Sequence, residues 1–196
     1  ADGPVSNNKN RGGSVKFPSH GGGLAVDHLD NHGFDQNKTV NIRPDSIDRY
    51  TKVSKHIAEA ILRNRPIHDE GANCPILVEG RRDVSALREF GFTGTIEILN
   101  RGWDQSRIIA YLYDRYGCRN SVDNGPSVIL LMDWDRTGGR LQSTFRKRLQ
   151  SLDMKIDETL WRSLMTNMKP EGRTVESLQS YAGTLNSLIE EYLSTG

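Results

Sequence analysis

Glu79 closes the apolar run "PILVE" at residues 75–79, and Asp133 and Asp135 close a second one, "VILLMDWD", at residues 128–135. Two carboxylates one residue apart repel each other, and a third in the same crevice would hold its proton against both. A hard divalent cation removes the conflict. Mg2+ takes oxygen ligands, keeps several waters, and is usually held by one or two carboxylates plus substrate phosphates. The chemistry on offer is then phosphoryl transfer. Asp133 and Asp135 would hold the metal, and Glu79, itself a potential ligand, would pass a proton to or from the attacking or leaving oxygen. The structural alternative makes Asp133 a helix N-cap and Asp135 a solvated turn residue.

Those residues can meet only if the chain brings them together. "PILVEG" (75–80), "TIEIL" (95–99) and "SVILLM" (127–132) read as strands, and "MKI" (154–156) as a fourth. Between them lie three helical patterns: "RDVSALREFG" (82–91), "DQSRIIAYLYDRYG" (104–117) and "TGGRLQSTFRKRLQSL" (137–152). Asp104 is the expected cap of the second helix, Gly91 and Gly117 the stops of the first two. The third helix turns Leu141, Phe145, Leu149 and Leu152 inward. Strand-helix-strand alternation specifies an α/β domain with a parallel, Rossmann-like sheet of about four strands and right-handed crossovers. The "SVILLM" strand, apolar on both faces, is expected near the middle of that sheet. Parallel strands all point one way, so residues just beyond their carboxyl ends gather along one edge, where α/β proteins bind ligands. Glu79, Asp133 and Asp135 all fall there.

The flanks are helical on one side and polar on the other. Ile47, Tyr50, Val53, Ile57 and Ile61 place an amphipathic helix over residues 46–65, ended by Pro66. Two helices follow the sheet, at 158–168 and at about 175–193, the latter with Val175, Leu178, Ala182, Leu185, Ile189 and Tyr192 inward. Residues 1–44, with "NNKNRGG" and "SHGGG", hold too few apolar side chains to offset chain entropy and are expected to form a flexible arm. His20, His28 and His32 with Asp27 and Asp30 are read as solvated groups of that arm and not as a metal site. The expected organisation is thus an arm (1–44), a helical lead-in (45–70), the α/β domain (71–157) and C-terminal helices packed on it (158–196).

Charge supplies the second ingredient of phosphoryl transfer. From Arg136 to Gln150 there are Arg136, Arg140, Arg146, Lys147 and Arg148 and no acid. Gly138 and Gly139 would let the backbone of that helix start approach a phosphate. Arg81, Arg82, Arg101 and the following Gly102 lie on loops at the same edge. Such residues bind a phosphate backbone without choosing a base sequence. Trp134 is expected to point away from its flanking aspartates into the protein, not to stack on a base.

"VEGRRDVSAL" followed two strands later by "LLMDWDRTGG" resembles the Toprim domain, the catalytic module of topoisomerases, bacterial-type primases and certain nucleases. The likeness covers about residues 74–156. "EILNRG" (97–102) and "RTVESL" (173–178) look most like the small stand-alone Toprim proteins of archaea. The resemblance implies that Glu79 is the family's general acid or base and that Asp133 and Asp135 bind Mg2+, with Mn2+ as an alternative. Asp83 matches a frequent aspartate at the start of the first helix, and Gly80 and Gly138 match small residues beside the two motifs. It further implies nuclease or nucleotidyl-transfer chemistry on DNA or RNA. Topoisomerases usually carry a third acid where this chain has Thr137; primase-like members lack it.

Two other readings compete. A non-catalytic module of this fold would bind metal and nucleic acid, or dock a protein partner that does the chemistry. "DWDRT" also fits the opening of haloacid-dehalogenase-type phosphatases, with Asp133 as nucleophile, but Glu79 and the lack of a later acidic pair speak against it. Composition adds bounds: 26 basic against 25 acidic residues name no partner. No run is long enough to span a membrane, and Cys74 and Cys118, without a Cys-x-x-Cys pair, suit a reducing, cytoplasmic setting.

Overall fold

The computed structural model describes residues 44–195. The expected arm, with its histidines, lies outside the described residues. The described residues belong to a single unit. It begins with helix α1 (Pro44–Asn64), in which proline occupies the first turn, where its missing N–H costs nothing. A 3-10 turn, Ile67–Asp69, completes the lead-in.

The sheet and its crossovers alternate as expected. Strand β1 (Ile76–Val78), helix α2 (Arg81–Glu89), strand β2 (Ile96–Ile98), helix α3 (Gln105–Tyr116), strand β3 (Val128–Leu130), helix α4 (Arg136–Gln150) and strand β4 (Ile156–Asp157) follow in order. All pairings are parallel and the spatial order is β2-β1-β3-β4, so β1 and β3 are central. Helix α5 (Thr159–Asn167), a 3-10 segment (Glu176–Tyr181) and helix α6 (Ala182–Thr195) end the chain.

Two apolar layers explain why the central strands are apolar throughout. Ile76, Val78, Ile129 and Leu131 face one layer, closed by α1, α2, α5 and α6 through residues such as Val53, Ile57, Ile61, Leu164, Leu185 and Ile189. Leu77, Val128, Leu130 and Met132 face the other, closed by α3 and α4 through Ile108, Leu112, Phe145 and Leu149. One buried polar side chain ties the lead-in to the sheet. Asn64 donates from Nδ2 to the carbonyls of Cys74 and Thr95, and its Oδ1 accepts the Gly94 N–H. Three backbone groups at the strand starts are thereby satisfied from one helix end.

Local signals hold where they are chemical. Asp104 Oδ1 accepts the Arg107 N–H at 2.9 Å and caps α3, while Gly117 ends it at φ 64°, a conformation that favours glycine. Three readings change. Ile47 is 51 % exposed and Leu152, beyond the end of α4, 38 % exposed; neither joins the core. The first turn of α1 is instead pinned by Arg49, which grips Glu171 at 2.6 Å and the Asn167 carbonyl at 2.7 Å. The C-terminal helix is not continuous from Val175. Ser177 Oγ donates to the Thr174 carbonyl at 2.6 Å, a local bond that competes with helix and leaves a 3-10 turn before α6. Among the described residues no helix is long and apolar enough to cross a membrane.

Candidate acidic site at the carboxyl edge of the sheet

Glu79 leaves β1 and Asp133 leaves β3 at the same edge, and the two are in direct contact. The Asp133 N–H donates to Glu79 Oε1 at 3.0 Å. Asp133 Oδ1 in turn accepts the Val175 N–H at 2.9 Å. Asp135 takes a different place from the one the alternation implied: it is the N-cap of α4, and its Oδ1 accepts the Gly138 N–H at 2.7 Å. The capping role thus falls to Asp135, not to Asp133. Asp83 is buried, and its Oδ2 accepts the Gly80 N–H at 2.8 Å.

Trp134 points inward as its position between the aspartates requires. It is buried, its Nε1 donates to the Gly172 carbonyl at 2.7 Å, and its N–H donates to the Arg173 carbonyl. Together with the Val175 bond to Asp133, this lays residues 172–175 over the end of β3 as a strap. Of this segment the apolar periodicity claims only Val175, as the start of a packing helix. The only hint was its place in the resemblance, because backbone donors leave no mark on residue type.

The acids feel one another. Burial pushes Asp133 up to about 7; the Val175 amide opposes this, and the charges of Glu79, Asp83 and Asp135 add to it. Glu79 is raised by burial, against the Asp133 amide, and then by Asp83 and Asp135. Asp83 is raised by burial, with a contribution from Glu176. Among the described residues none of these four carboxylates has a lysine, arginine or histidine within ion-pair distance. Among the described residues their only hydrogen-bond partners are backbone amides.

Does this donor set fit a divalent cation? Among the described residues no group of three or more His, Cys, Asp or Glu side chains is arranged to hold a metal ion. A cage made wholly of protein is therefore not preformed. The donor chemistry nonetheless suits a hard cation. One oxygen each of Glu79, Asp133 and Asp135 is held by an amide, and the other accepts no hydrogen bond within the described residues. One or two such oxygens with waters and phosphate oxygens are what Mg2+ ordinarily takes.

The expected phosphate contacts divide. Arg81, Arg136 and Arg140 are exposed on the first turns of α2 and α4, and exposed Arg82 lies 3.7 Å from Glu176. Gly138 serves packing: a Cβ there would sit 2.2 Å from the Asp133 carbonyl oxygen. Its N–H goes to Asp135 Oδ1 and the Gly139 N–H to the Asp135 carbonyl, so neither glycine offers an amide to a phosphate. A Cβ on Gly139 would meet open space. Arg101 is committed elsewhere. It pairs with Glu97, and its Nε donates to the Ile98 carbonyl at 2.6 Å, while Gly102 makes the turn after it at φ 79°.

Fold and site together define a layered α/β protein with a group of acids at the carboxyl edge of a parallel sheet. No family model matches the chain. A protein of Methanosarcina acetivorans called a UPF0292 protein is 30 % identical over 143 residues, 72 % of this chain and 90 % of the relative. UPF0292 proteins of Thermoplasma volcanium and Methanocaldococcus jannaschii are each 30 % identical, over 109 and 112 residues, covering 82 % and 80 % of those proteins. The chain belongs to the UPF0292 family. Among solved structures, a putative protein from Aquifex aeolicus matches 62 % of this chain and 94 % of its own at 22 % identity, with a TM-score of 0.45.

Proposed function

We propose that the protein carries out Mg2+-dependent phosphodiester chemistry on nucleic acid, as a stand-alone domain of the Toprim type. The observation that carries the reading is the bond from the Asp133 amide to the Glu79 carboxyl, which sets two acids from different strands side by side without a cationic partner among the described residues. Acids placed in this way are candidates for a site and not for structure. Bound Mg2+, with Mn2+ as an alternative, would stabilise charge on the phosphate and orient it. Asp133 and Asp135 would hold it through the oxygens their amide partners leave free. Glu79 Oε1 stays on the Asp133 amide, which fixes the carboxyl plane and leaves Oε2 to hold or move the proton of the attacking or leaving hydroxyl. Arg81, Arg136 and Arg140 stand exposed to draw in the phosphate backbone.

A second reading follows from the absence, among the described residues, of a preassembled group of three ligands: a non-catalytic module that binds metal and nucleic acid or docks a protein partner. One experiment separates the two. DNA and RNA substrates are incubated with Mg2+ or Mn2+ and either the parent protein or Glu79→Gln. Metal-dependent cleavage or nucleotidyl transfer should fall about 10²–10⁴-fold in the variant, the usual loss of a general acid or base, with an unchanged circular dichroism spectrum. Metal binding by calorimetry without turnover on any substrate favours the module.

A further inference from the structure

Trp134 is buried and offers no ring to a nucleobase, whereas Trp103 carries an exposed arginine over its ring. Trp103 lies in the turn after β2, three residues beyond Asn100, whose N–H donates to the Glu79 carbonyl at 2.9 Å. Three residues span at most about 11 Å of extended chain, so the Trp103 backbone lies within that reach of Asn100, which is bonded to the end of β1. The Trp103 ring is the middle of a ladder. The Arg101 guanidinium lies 5.2 Å from the Tyr111 ring and 5.3 Å from the Trp103 ring, and the Arg107 guanidinium lies 4.3 Å from Trp103. Tyr111 braces Trp103 edge-on at 5.5 Å.

The two arginines differ in what they have left to give. Arg101 is neutralised by Glu97 and hydrogen-bonded to the backbone. Arg107, exposed on the first turn of α3, has no acid within ion-pair distance among the described residues, and the side chain of the neighbouring Asp104 is occupied by capping the helix. Its guanidinium is thus an uncommitted charge over an indole, on an exposed residue. A guanidinium plane can stack one base and donate to its phosphate at once, which an ammonium cannot do.

We propose that this ladder is a single-strand platform on which an unpaired base of RNA or DNA stacks against Arg107, feeding the strand toward the acidic edge. It rests on the nucleic-acid reading given above and adds its substrate class. Bases within a duplex are already stacked and present no free face, so the platform discriminates strandedness. Fluorescence anisotropy with labelled single-stranded RNA, single-stranded DNA and duplexes of the same sequence, in EDTA so that turnover plays no part, tests it on the full chain. The parent and Glu79→Gln should bind single strands more tightly than duplex. Arg107→Ala and Arg107→Lys, exposed changes that leave the core alone, should each weaken single-strand binding about tenfold, the lower range for a lost base stack, and leave duplex binding unchanged. A loss confined to the RNA arm or the DNA arm supports the platform and names the sugar. Single-strand binding that neither variant weakens overturns it while sparing the function above, as does equal weakening for single strands and duplex. No binding of any strand by the parent overturns the platform, whereas the function above falls only if no turnover is seen with Mg2+ or Mn2+.

Discussion

Two sets of acids on the same four-stranded sheet, Glu97 within β2 and the group at the carboxyl edge, have been handled in opposite ways. Glu97, on β2, is nearly buried, and burial alone would raise its pKa. Hydrogen bonds from Tyr116, Arg101 and Tyr111, with the Arg101 charge, leave it below the usual carboxylate range instead. Tyr116 and Tyr111 both donate to its Oε1, at 2.6 and 2.8 Å, and Arg101 takes Oε2. Asp133 and Glu79, at the ends of β3 and β1, receive one backbone amide each and no cation, and both are raised. A carboxylate that serves structure is given its counter-charge by the fold. The acids at the carboxyl edge are left without one, and that difference separates the two groups more clearly than residue type does.

The largest effect on stability should come from breaking the satisfied acid. Glu97→Gln keeps the shape but removes the charge that Arg101 neutralises and weakens two phenol bonds. A loss of about 2–3 kcal/mol in urea unfolding is expected, in the range for charged hydrogen bonds and a partly buried ion pair. The sign with pH follows from the lowered pKa. The contribution is present above the unfolded value of 4.5 and is lost as the pH falls through the lower folded value. The parent should therefore converge on the variant in acid. A variant as stable as the parent at neutral pH would erase the contrast.

Gly138→Ala tests the geometry between the two regions. The added Cβ would press on the Asp133 carbonyl at 2.2 Å, and backbone cannot yield as a flexible side chain does. The start of α4 must shift, at a cost of about 1–3 kcal/mol. Because Asp133 and Asp135 flank that contact, metal affinity by calorimetry should fall as well. Gly139→Ala, which meets open space, should change neither by much and serves as the control.

How much of this was legible in the residues follows the same line. The order of elements was readable because apolar periodicity and caps such as Asp104 and Gly117 are local. The meeting of Glu79 and Asp133 was readable because parallel strands send their carboxyl ends to one edge. Hidden were the bonds that depend on a distant backbone: the strap at 172–175 that reaches Asp133 and Trp134, and Asn64 spanning three strand-start groups. Arg101 shows the limit most plainly. On a loop at the right edge it reads as a phosphate ligand, and only the fold shows that Glu97 and Tyr111 already hold it. The cap that the structural alternative gave to Asp133 belongs to Asp135 for a similar reason, since a two-residue shift in the helix start decides it and either aspartate can cap.

The mildest change is also the one that reverses sign. With Asp133 raised from 3.8 to about 7, the protein without added metal has its full stability from this group below pH 3.8. As the pH rises from there, the unfolded chain ionises first while the folded state still holds the proton, so stability declines until the folded group ionises near pH 7. Asp133 is only half-buried and its shift is shared with neighbouring acids, so solvent screening reduces the effect to the order of 1–2 kcal/mol. Asp133→Asn removes the titration while keeping an acceptor for the Val175 amide. At pH 8 the variant should melt above the parent, and at pH 4 the two should coincide. Added Mg2+ should raise the parent's melting temperature at pH 8 and leave the variant's nearly unmoved, because a ligand stabilises only the state that binds it. Parent and variant melting together across this pH range would mean that Asp133 is as well compensated as Glu97.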